Sequence, residues 1–495
     1  MSFAAKIALP LIILVVASTS GCRKSSPAAG ESGGAEPFAA VRMRIEQLVA
    51  EGTVPSMAVA VARDGEIVWE QGFGLADREN NTPATEHTAY PLASVSKPLT
   101  ATALMILAER GLIDLDAPVN DYLGEVKLTA RVGEAEEATV RRVACHTAGL
   151  PLHDRHFYDG EAQGPPSFEQ TLRRYGQLVS VPGERWQYSN LGYGILGEVI
   201  SRVSGRDYAE LMQAEVFTPL GMQHTSVHVG PGPAEGQAVK YTSDGLVVPP
   251  CDTDTPRAWA IYGSAHDLIR FALFHLKNHL PDQSAVLSGD SIDEMQRPSP
   301  ETGPLREWEG EGSGYGIGWF VGVTEEGLRV VQHNGGTLGV STVLALLPEE
   351  NLAVAALSNT HGSWPDIITI EIVSAILPLR PEDFLPSAGA SSGGGGAKQP
   401  FAPPPELAGS WDGWIHTYEG EVPLTLEIEQ SGTVYATLGE QPPAPVQAVS
   451  CRDTLPQFLN AGGGRFLRGW MPGKLQSENI ERGLPTKLWL ELSRE

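Results

Sequence analysis

The chain has 495 residues, more than one ordinary domain, and its 41% hydrophobic and 19% charged residues make a packed globular protein rather than a disordered one. Its 55 glycines and 38 prolines make it rich in loops. A formal net charge of −25, with no lysine/arginine run of five or more, repels a phosphate backbone and makes nucleic acid a poor candidate partner, and four cysteines without a CxxC pair exclude a disulfide scaffold.

At the N-terminus Lys6 precedes an apolar run from Ile7 to Ala17, too short to span a bilayer and fitting a secretory signal. The run leads to Thr19-Ser20-Gly21-Cys22, which resembles the lipobox of bacterial lipoproteins, with Thr19 where leucine is usual. The resemblance implies a signal peptide over 1–21 and a lipidated Cys22 as mature N-terminus. Its acyl chains would hold the protein to a membrane, each buried CH₂ adding about 0.8 kcal/mol. Arg23 in place of an aspartate implies the outer membrane of the cell envelope, facing the periplasm or the outside, in a host that has one. An ordinary cleaved signal with an incidental cysteine is the alternative. Residues 22–37, mostly Ser, Gly, Ala and Pro, read as a flexible tether.

The body opens with a predicted helix near Phe38–Glu51 and two strands, Ser56–Arg63 and Glu66–Phe73, joined by the turn Asp64-Gly65. A long helical middle follows, in which Leu191, Ile195, Leu196, Val199, Ile200 and Val203 share one face and Gly205 is the stop. Strands are predicted near Gly314–Val323, Leu328–His333, Gly339–Leu347 and Leu352–Asn359, then a last apolar helix near Trp364–Leu377. Strands at both ends with helices between them predict an α+β body over 38–385, one antiparallel sheet with a helical region packed against it.

Pro386–Pro405, with four consecutive glycines and three consecutive prolines, reads as a linker. Beyond it, over 406–495, Val422, Leu424, Leu426 and Ile428 alternate with polar residues, as do Leu488, Leu490 and Leu492. That predicts a small antiparallel β barrel or sandwich in an accessory role, with Trp411, Trp414, Trp470 and Trp489 in its core.

Three short motifs carry chemistry. In Ser94-Val95-Ser96-Lys97 a helix would place the Lys97 amine over the Ser94 hydroxyl, with the helix N-terminus favouring a developing oxyanion. A desolvated lysine there acts as a base, and Pro98 is acceptable only in the first turn, which agrees with a helix that starts at the serine. Tyr188-Ser189-Asn190 lies on a loop after Pro182-Gly183; its tyrosine can exchange a proton with a serine and Asn190 can donate to a carbonyl. His333-Asn334-Gly335-Gly336 ends a strand where glycines allow close approach of a ligand. His228-Val229-Gly230 follows no strand and is set aside.

Together and in this order these motifs resemble the serine hydrolases related to class C β-lactamases and penicillin-binding proteins. The resemblance covers most of residues 40–380 and includes Cys145-His146-Thr147-Ala148-Gly149-Leu150-Pro151, Pro182-Gly183-Glu184 and Phe217-Thr218-Pro219-Leu220-Gly221-Met222. It implies Ser94 as nucleophile, with Lys97 and Tyr188 as its proton partners. The backbone N–H groups of Ser94 and Gly336 would be the oxyanion hole, and Asn190, His333, Asn334 and Gly335 the substrate contacts. Neither metal nor organic cofactor is required. The β-lactamases carry lysine where His333 stands, and a mostly neutral histidine shifts the reading toward an esterase, peptidase or amidase. A D-alanyl-D-alanine carboxypeptidase or a β-lactamase is the rival enzyme; a non-catalytic protein that binds cell-wall peptides is the rival of another class.

Other polar residues read as structural. Ser96 is expected on a helix surface, and Cys145 as a buried small hydrophobe; of Cys145, Cys251 and Cys451 at most one pair can join. His153, Asp154, His156, Asp252 and Asp254 are expected to be solvated loop residues rather than metal ligands, and Ser264 with Asp267 a capping box.

Overall fold

The alternation along strand β1 (Ser56–Arg63) shows how the body is layered. Successive side chains point to opposite faces of a strand. Ala58, Ala60 and Ala62 join one core and Met57, Val59 and Val61 join another. Both faces are therefore buried, so the strand reads as a continuous apolar run rather than an alternating one.

The structure, a computed structural model, describes residues 37–153, 155–158, 164–227, 236–303, 312–324, 327–377, 405, 408–418, 420–440, 442–445, 465–470 and 487–493. The signal and tether with Cys22, Asp154, His228, Cys451 and the linker up to residue 404 lie outside the described residues.

The sheet that contains β1 also holds β2 (Glu66–Asp77), β3 (Thr82–Pro83), β4 (Gly314–Tyr315), β5 (Phe320–Val323), β6 (Arg329–Thr337), β7 (Val340–Leu347) and β8 (Leu352–Ser358). Its order is β4-β5-β6-β7-β8-β1-β2-β3, so the two ends of the body meet at the antiparallel pair β8–β1, with Met57 opposite Ser358. Asp64 and Gly65 both take positive φ, 51° and 86°, as a two-residue hairpin turn requires. The run expected as one strand over 314–323 is two. Gly316 N–H returns to the Trp319 carbonyl, and at Gly318 a Cβ would stand 2.7 Å from Ala101 Cβ, so a glycine turn lies against the helix that follows Ser94.

Six helices matter for the site: α1 (Ala39–Ala50), α2 (Ser96–Glu109), α3 (Phe168–Tyr175), α4 (Asn190–Ser204), α5 (Ala265–His275) and α6 (Trp364–Ile376). Helices α1 and α6 cover the Val59 face of the sheet. On the alanine face α5 packs against β1, β7 and β8, with α2 and α4 in the same core. Helix α2 is buried from Ser96 to Leu107, as suits a central helix hydrophobic all round. The body is α+β, as expected, with helices on both faces. Among the described residues no helix is long and apolar enough to cross a membrane.

The C-terminal region is one antiparallel sheet of β9 (Gly409–Thr417), β10 (Gly420–Ile428), β11 (Val434–Leu438), β12 (Ala444–Pro445), β13 (Arg465–Trp470) and β14 (Lys487–Ser493), in the order β12-β11-β10-β9-β14-β13. Leu424, Leu426 and Ile428 are buried in alternation. Trp411 is core, but Trp414 is 49% exposed: it and Trp411 stand three apart on one strand, so they face opposite sides of the sheet.

Candidate active site

The chain enters the site through a strained turn. Ala93 has φ 47°, a left-handed conformation that costs a residue with a Cβ about 1–2 kcal/mol. The surroundings hold it there. Leu92 N–H donates to the Ile261 carbonyl at 2.8 Å, and the Leu92 carbonyl accepts from Thr342 Oγ1 at 2.8 Å and from Val95 N–H at 3.1 Å. Ala93–Val95 form one 3₁₀ turn and α2 begins at Ser96, so Ser94 lies just before the helix rather than at its first residue. Pro98 still falls in the first turn.

Ser94 is half-buried at the end of this turn, and Lys97 is fully buried one turn on. Lys97 Nζ donates to Ser94 Oγ at 3.1 Å, to Asn190 Oδ1 at 2.8 Å and to the Ala258 carbonyl at 3.3 Å. It lies 4.8 Å from the ring centre of Tyr188 and 5.6 Å from that of Tyr193. A desolvated amine thus has three oxygen acceptors and two aromatic faces around it, and one acceptor is the hydroxyl it would deprotonate.

Tyr188 and Asn190 reach this point because Ser189 between them caps α4. Ser189 Oγ accepts from Gly192 N–H at 2.9 Å and donates to the Pro151 carbonyl at 2.5 Å. Ser189 N–H donates to His146 Nδ1 at 3.1 Å. His146 is buried at φ 62°, with its ring 4.3 Å from that of Tyr188. Burial first, and then the charge of Lys97, hold its pKa well below the usual histidine value, so it is a neutral wall of the site. Sequence reasoning gave His146 no role of its own; its place in the Cys145–Pro151 motif was the available signal.

Strand β6 closes the other side. Strand β5 pairs only with Arg329–Gln332, so residues 333–337 keep an edge that β5 does not cover, while β7 pairs with them on the other side. Gly335 is the point of closest approach: a Cβ there would stand 3.0 Å from Ser94 N. Gly336 is the next residue along this edge.

The side chains of His333 and Asn334 turn to opposite faces of the strand. His333 is buried, with Nδ1 2.8 Å from the Asn334 carbonyl and Nε2 3.1 Å from Tyr315 Oη. A carbonyl only accepts, so Nδ1 carries the hydrogen and Nε2 accepts from the tyrosine. Burial, and secondarily Lys97, pushes its pKa down to about 3. Asn334, one residue on, turns to the opposite face and bonds Asp366 at the start of α6. The strand's period of two explains both placements: His333 shares the face of Gly335, beside Tyr188, and Asn334 the opposite one.

Three of the structural readings also change, and that of Cys145 holds. Ser96 is buried, accepting Ile261 N–H at 3.3 Å, because α2 has no solvent face at its start. His153 and Asp254 are not solvated: both are buried and His153 Nε2 is 2.7 Å from Asp254 Oδ2. Ser264 caps α5 by accepting Asp267 N–H, but the Asp267 carboxylate accepts from His224 N–H and Thr225 Oγ1, so only half of the expected box forms. Cys145 is a buried thiol whose pKa burial raises to about 12, which removes it as a nucleophile. Among the described residues no three His, Cys, Asp or Glu side chains are arranged to hold a metal.

The beta-lactamase family model matches residues 41–373, well over half of the chain. The chain belongs to that family, and its site is that of a serine hydrolase. It is 28% identical over 326 residues to Penicillin-binding protein 4* of Bacillus subtilis (strain 168), covering 61% of this chain and 67% of that protein. Esterase EstB of Burkholderia gladioli is 31% identical over 321 residues, 57% of this chain and 78% of that protein. Protein flp of Staphylococcus aureus (strain MRSA252) is 26% identical, and the match spans only 62% of its length. In fold the chain is similar to the octameric penicillin-binding protein homologue from Pyrococcus abyssi, with TM-score 0.59 and 23% identity over 92% of this chain and 96% of that one.

Proposed function

We propose that the protein is a membrane-anchored serine hydrolase that works through an acyl-enzyme on an ester, amide or peptide. The observation that carries this reading is the 3.1 Å bond between Lys97 Nζ and Ser94 Oγ inside an aromatic enclosure, with Asn190 fixed behind it. Ser94 Oγ attacks the substrate carbonyl carbon and its proton passes to Lys97 and Tyr188. The N–H groups of Ser94 and Gly336 take the oxyanion. Because Asn190 Oδ1 already accepts from Lys97, its Nδ2 is the atom left to donate to the acyl carbonyl. The leaving group takes the proton and departs. Water that loses a proton to Tyr188 then attacks the acyl carbon, and Ser94 leaves with that proton restored.

The chemistry of the acyl donor follows from β6. A neutral, enclosed His333 offers no cation to a carboxylate, so donors without one are favoured, in keeping with the relative named as an esterase. A peptide is the second reading, supported by the edge of residues 333–337 that β5 leaves uncovered and by the relative named as a penicillin-binding protein. Turnover of p-nitrophenyl esters, D-Ala-D-Ala peptides and nitrocefin by the purified protein separates these, with esters fastest and nitrocefin slowest. Fastest turnover of nitrocefin would reverse the order. Anchoring rests on Cys22: a palmitate analogue should label the wild type and not Cys22→Ser, and absence of label in both would remove the anchor.

A further inference from the structure

We infer that Tyr418, from the C-terminal sheet, is a positioning residue for Lys97 and Asn190, so that the accessory domain is part of the catalytic unit. This rests on the hydrolase reading for its consequence in turnover, though not for its geometry.

The two catalytic side chains share one support. His156–Tyr158 pairs antiparallel with Cys251–Thr253, Phe157 opposite Asp252, to make a short ribbon. Just before the ribbon, the Leu152 carbonyl accepts Asn190 N–H at 2.8 Å. Just after it, the Ala258 carbonyl accepts from Lys97 Nζ at 3.3 Å. Any shift of these flanking segments moves the backbone of Asn190 and an acceptor of the lysine together.

Asp254 ties the two segments to each other. Its Oδ1 accepts Arg155 N–H at 3.0 Å and its Oδ2 lies 2.7 Å from His153 Nε2. The carboxylate is fully buried, so it holds its place only while donors surround it. One donor comes from outside the body: Tyr418 Oη donates to Asp254 Oδ2 at 2.7 Å. Tyr418 stands at the turn between β9 and β10, so a hairpin tip of the C-terminal sheet is built into the wall of the catalytic domain. Its hydroxyl is also 2.9 Å from Thr171 Oγ1 on α3, and its ring packs edge-on against Tyr175, 5.2 Å between centres. His153 in turn stacks on Tyr175 at 3.7 Å. A separate contact, Arg174 to the Gly420 carbonyl at 3.1 Å, joins the same hairpin to α3 without reaching Asp254. Among the described residues the Tyr418 hydroxyl thus bonds Asp254 itself, whereas Arg174 bonds the hairpin backbone and Tyr175.

This difference makes the test. In the full chain, Tyr418→Phe keeps the ring and removes only the hydroxyl. It should raise amide hydrogen exchange in 150–158 and 251–258 while β1 and β8 stay protected. With a p-nitrophenyl ester its kcat should fall about tenfold with KM little changed, as expected of misplaced rather than missing catalytic groups. Arg174→Ala should leave both the exchange and kcat near wild type. Tyr418→Phe combined with Asp254→Asn should lose no more activity than Asp254→Asn alone. Unchanged exchange in Tyr418→Phe overturns the inference, whatever happens to kcat. So does an equal loss in Arg174→Ala, which would show domain docking alone to matter. A wild type that turns over no substrate would sink the hydrolase reading, while the exchange measurement would still decide the role of Tyr418.

Discussion

Gly335 lies so close beneath Ser94 that no side chain fits between them: a Cβ at 335 would stand 3.0 Å from Ser94 N and overlap the Leu92 carbonyl and Thr342 Oγ1. Backbone on one side and a bonded threonine on the other leave nothing free to move. Gly335→Ala should destabilise the protein by about 1–3 kcal/mol, as overpacking does, and slow acylation of Ser94. Gly336→Ala is the contrast. A Cβ there meets the His361 ring at 3.4 Å and the Val340 carbonyl at 4.0 Å, and the backbone N–H is kept, so its melting temperature should stay near wild type. Equal effects of the two changes would contradict this geometry.

The bond from Lys97 to Asn190 predicts an asymmetry between the partners. Asn190→Ala leaves a buried amine short of an acceptor and should lower stability by about 1–3 kcal/mol while slowing turnover. Lys97→Met removes the charge with the amine, so it should be milder for stability yet reduce the rate by about 10²–10⁴-fold. Denaturant unfolding of the two variants beside steady-state rates checks the pattern, and the double variant should not show additive kinetic losses.

Three buried histidines, His146, His275 and His333, contribute to the acid side of the stability curve. His333 and His275 both have folded pKa values pushed down to about 3 by burial, below the unfolded value near 6.5. The unfolded chain therefore binds protons that the native state refuses, and stability falls as pH drops from about 6.5 toward 3, with no contribution from these groups above that window. His275→Gln should flatten this acid limb in a plot of unfolding free energy against pH. A slope identical to wild type between about pH 6 and 4 would mean that His275 is protonated in the native state.

Replacing His333 by lysine tests why a histidine stands there. The imidazole sits 5.0 Å from Phe320 and 6.3 Å from Tyr188, ring to ring, and Tyr315 donates to its Nε2. A second ammonium in that enclosure, near Lys97, has no carboxylate to meet. His333→Lys should unfold at lower temperature and gain no nitrocefin hydrolysis; a stable variant with new nitrocefin turnover would show that the cleft reaches this side chain.

How much of this was legible beforehand differs by residue. β1, β7 and β8 are dense apolar runs, and the Asp64-Gly65 turn is local, so the sheet could be read directly. Ser94 and Lys97 share one turn, and their contact follows from helical spacing. The orientation of His333 and Asn334 was not readable, because motif order gives no register: only the pairing of His333 with Leu344 and Gly335 with Thr342 decides which side chains face inward. His153 and Asp254 looked like loop polarity because they are 101 positions apart, and the tyrosine hydroxyl that completes their cluster comes from another 164 positions beyond. Long-range polar pairing leaves no periodic trace.

In the proposed reaction Ser94 is the residue that becomes acylated. Incubation of the purified chain with a fluorophosphonate, followed by peptide mass spectrometry, reads this directly. One adduct is expected, on the Ser94 peptide, with labelling and turnover both lost in Ser94→Ala while its melting temperature stays near wild type. An adduct on a different serine, or wild-type turnover in Ser94→Ala, would contradict it.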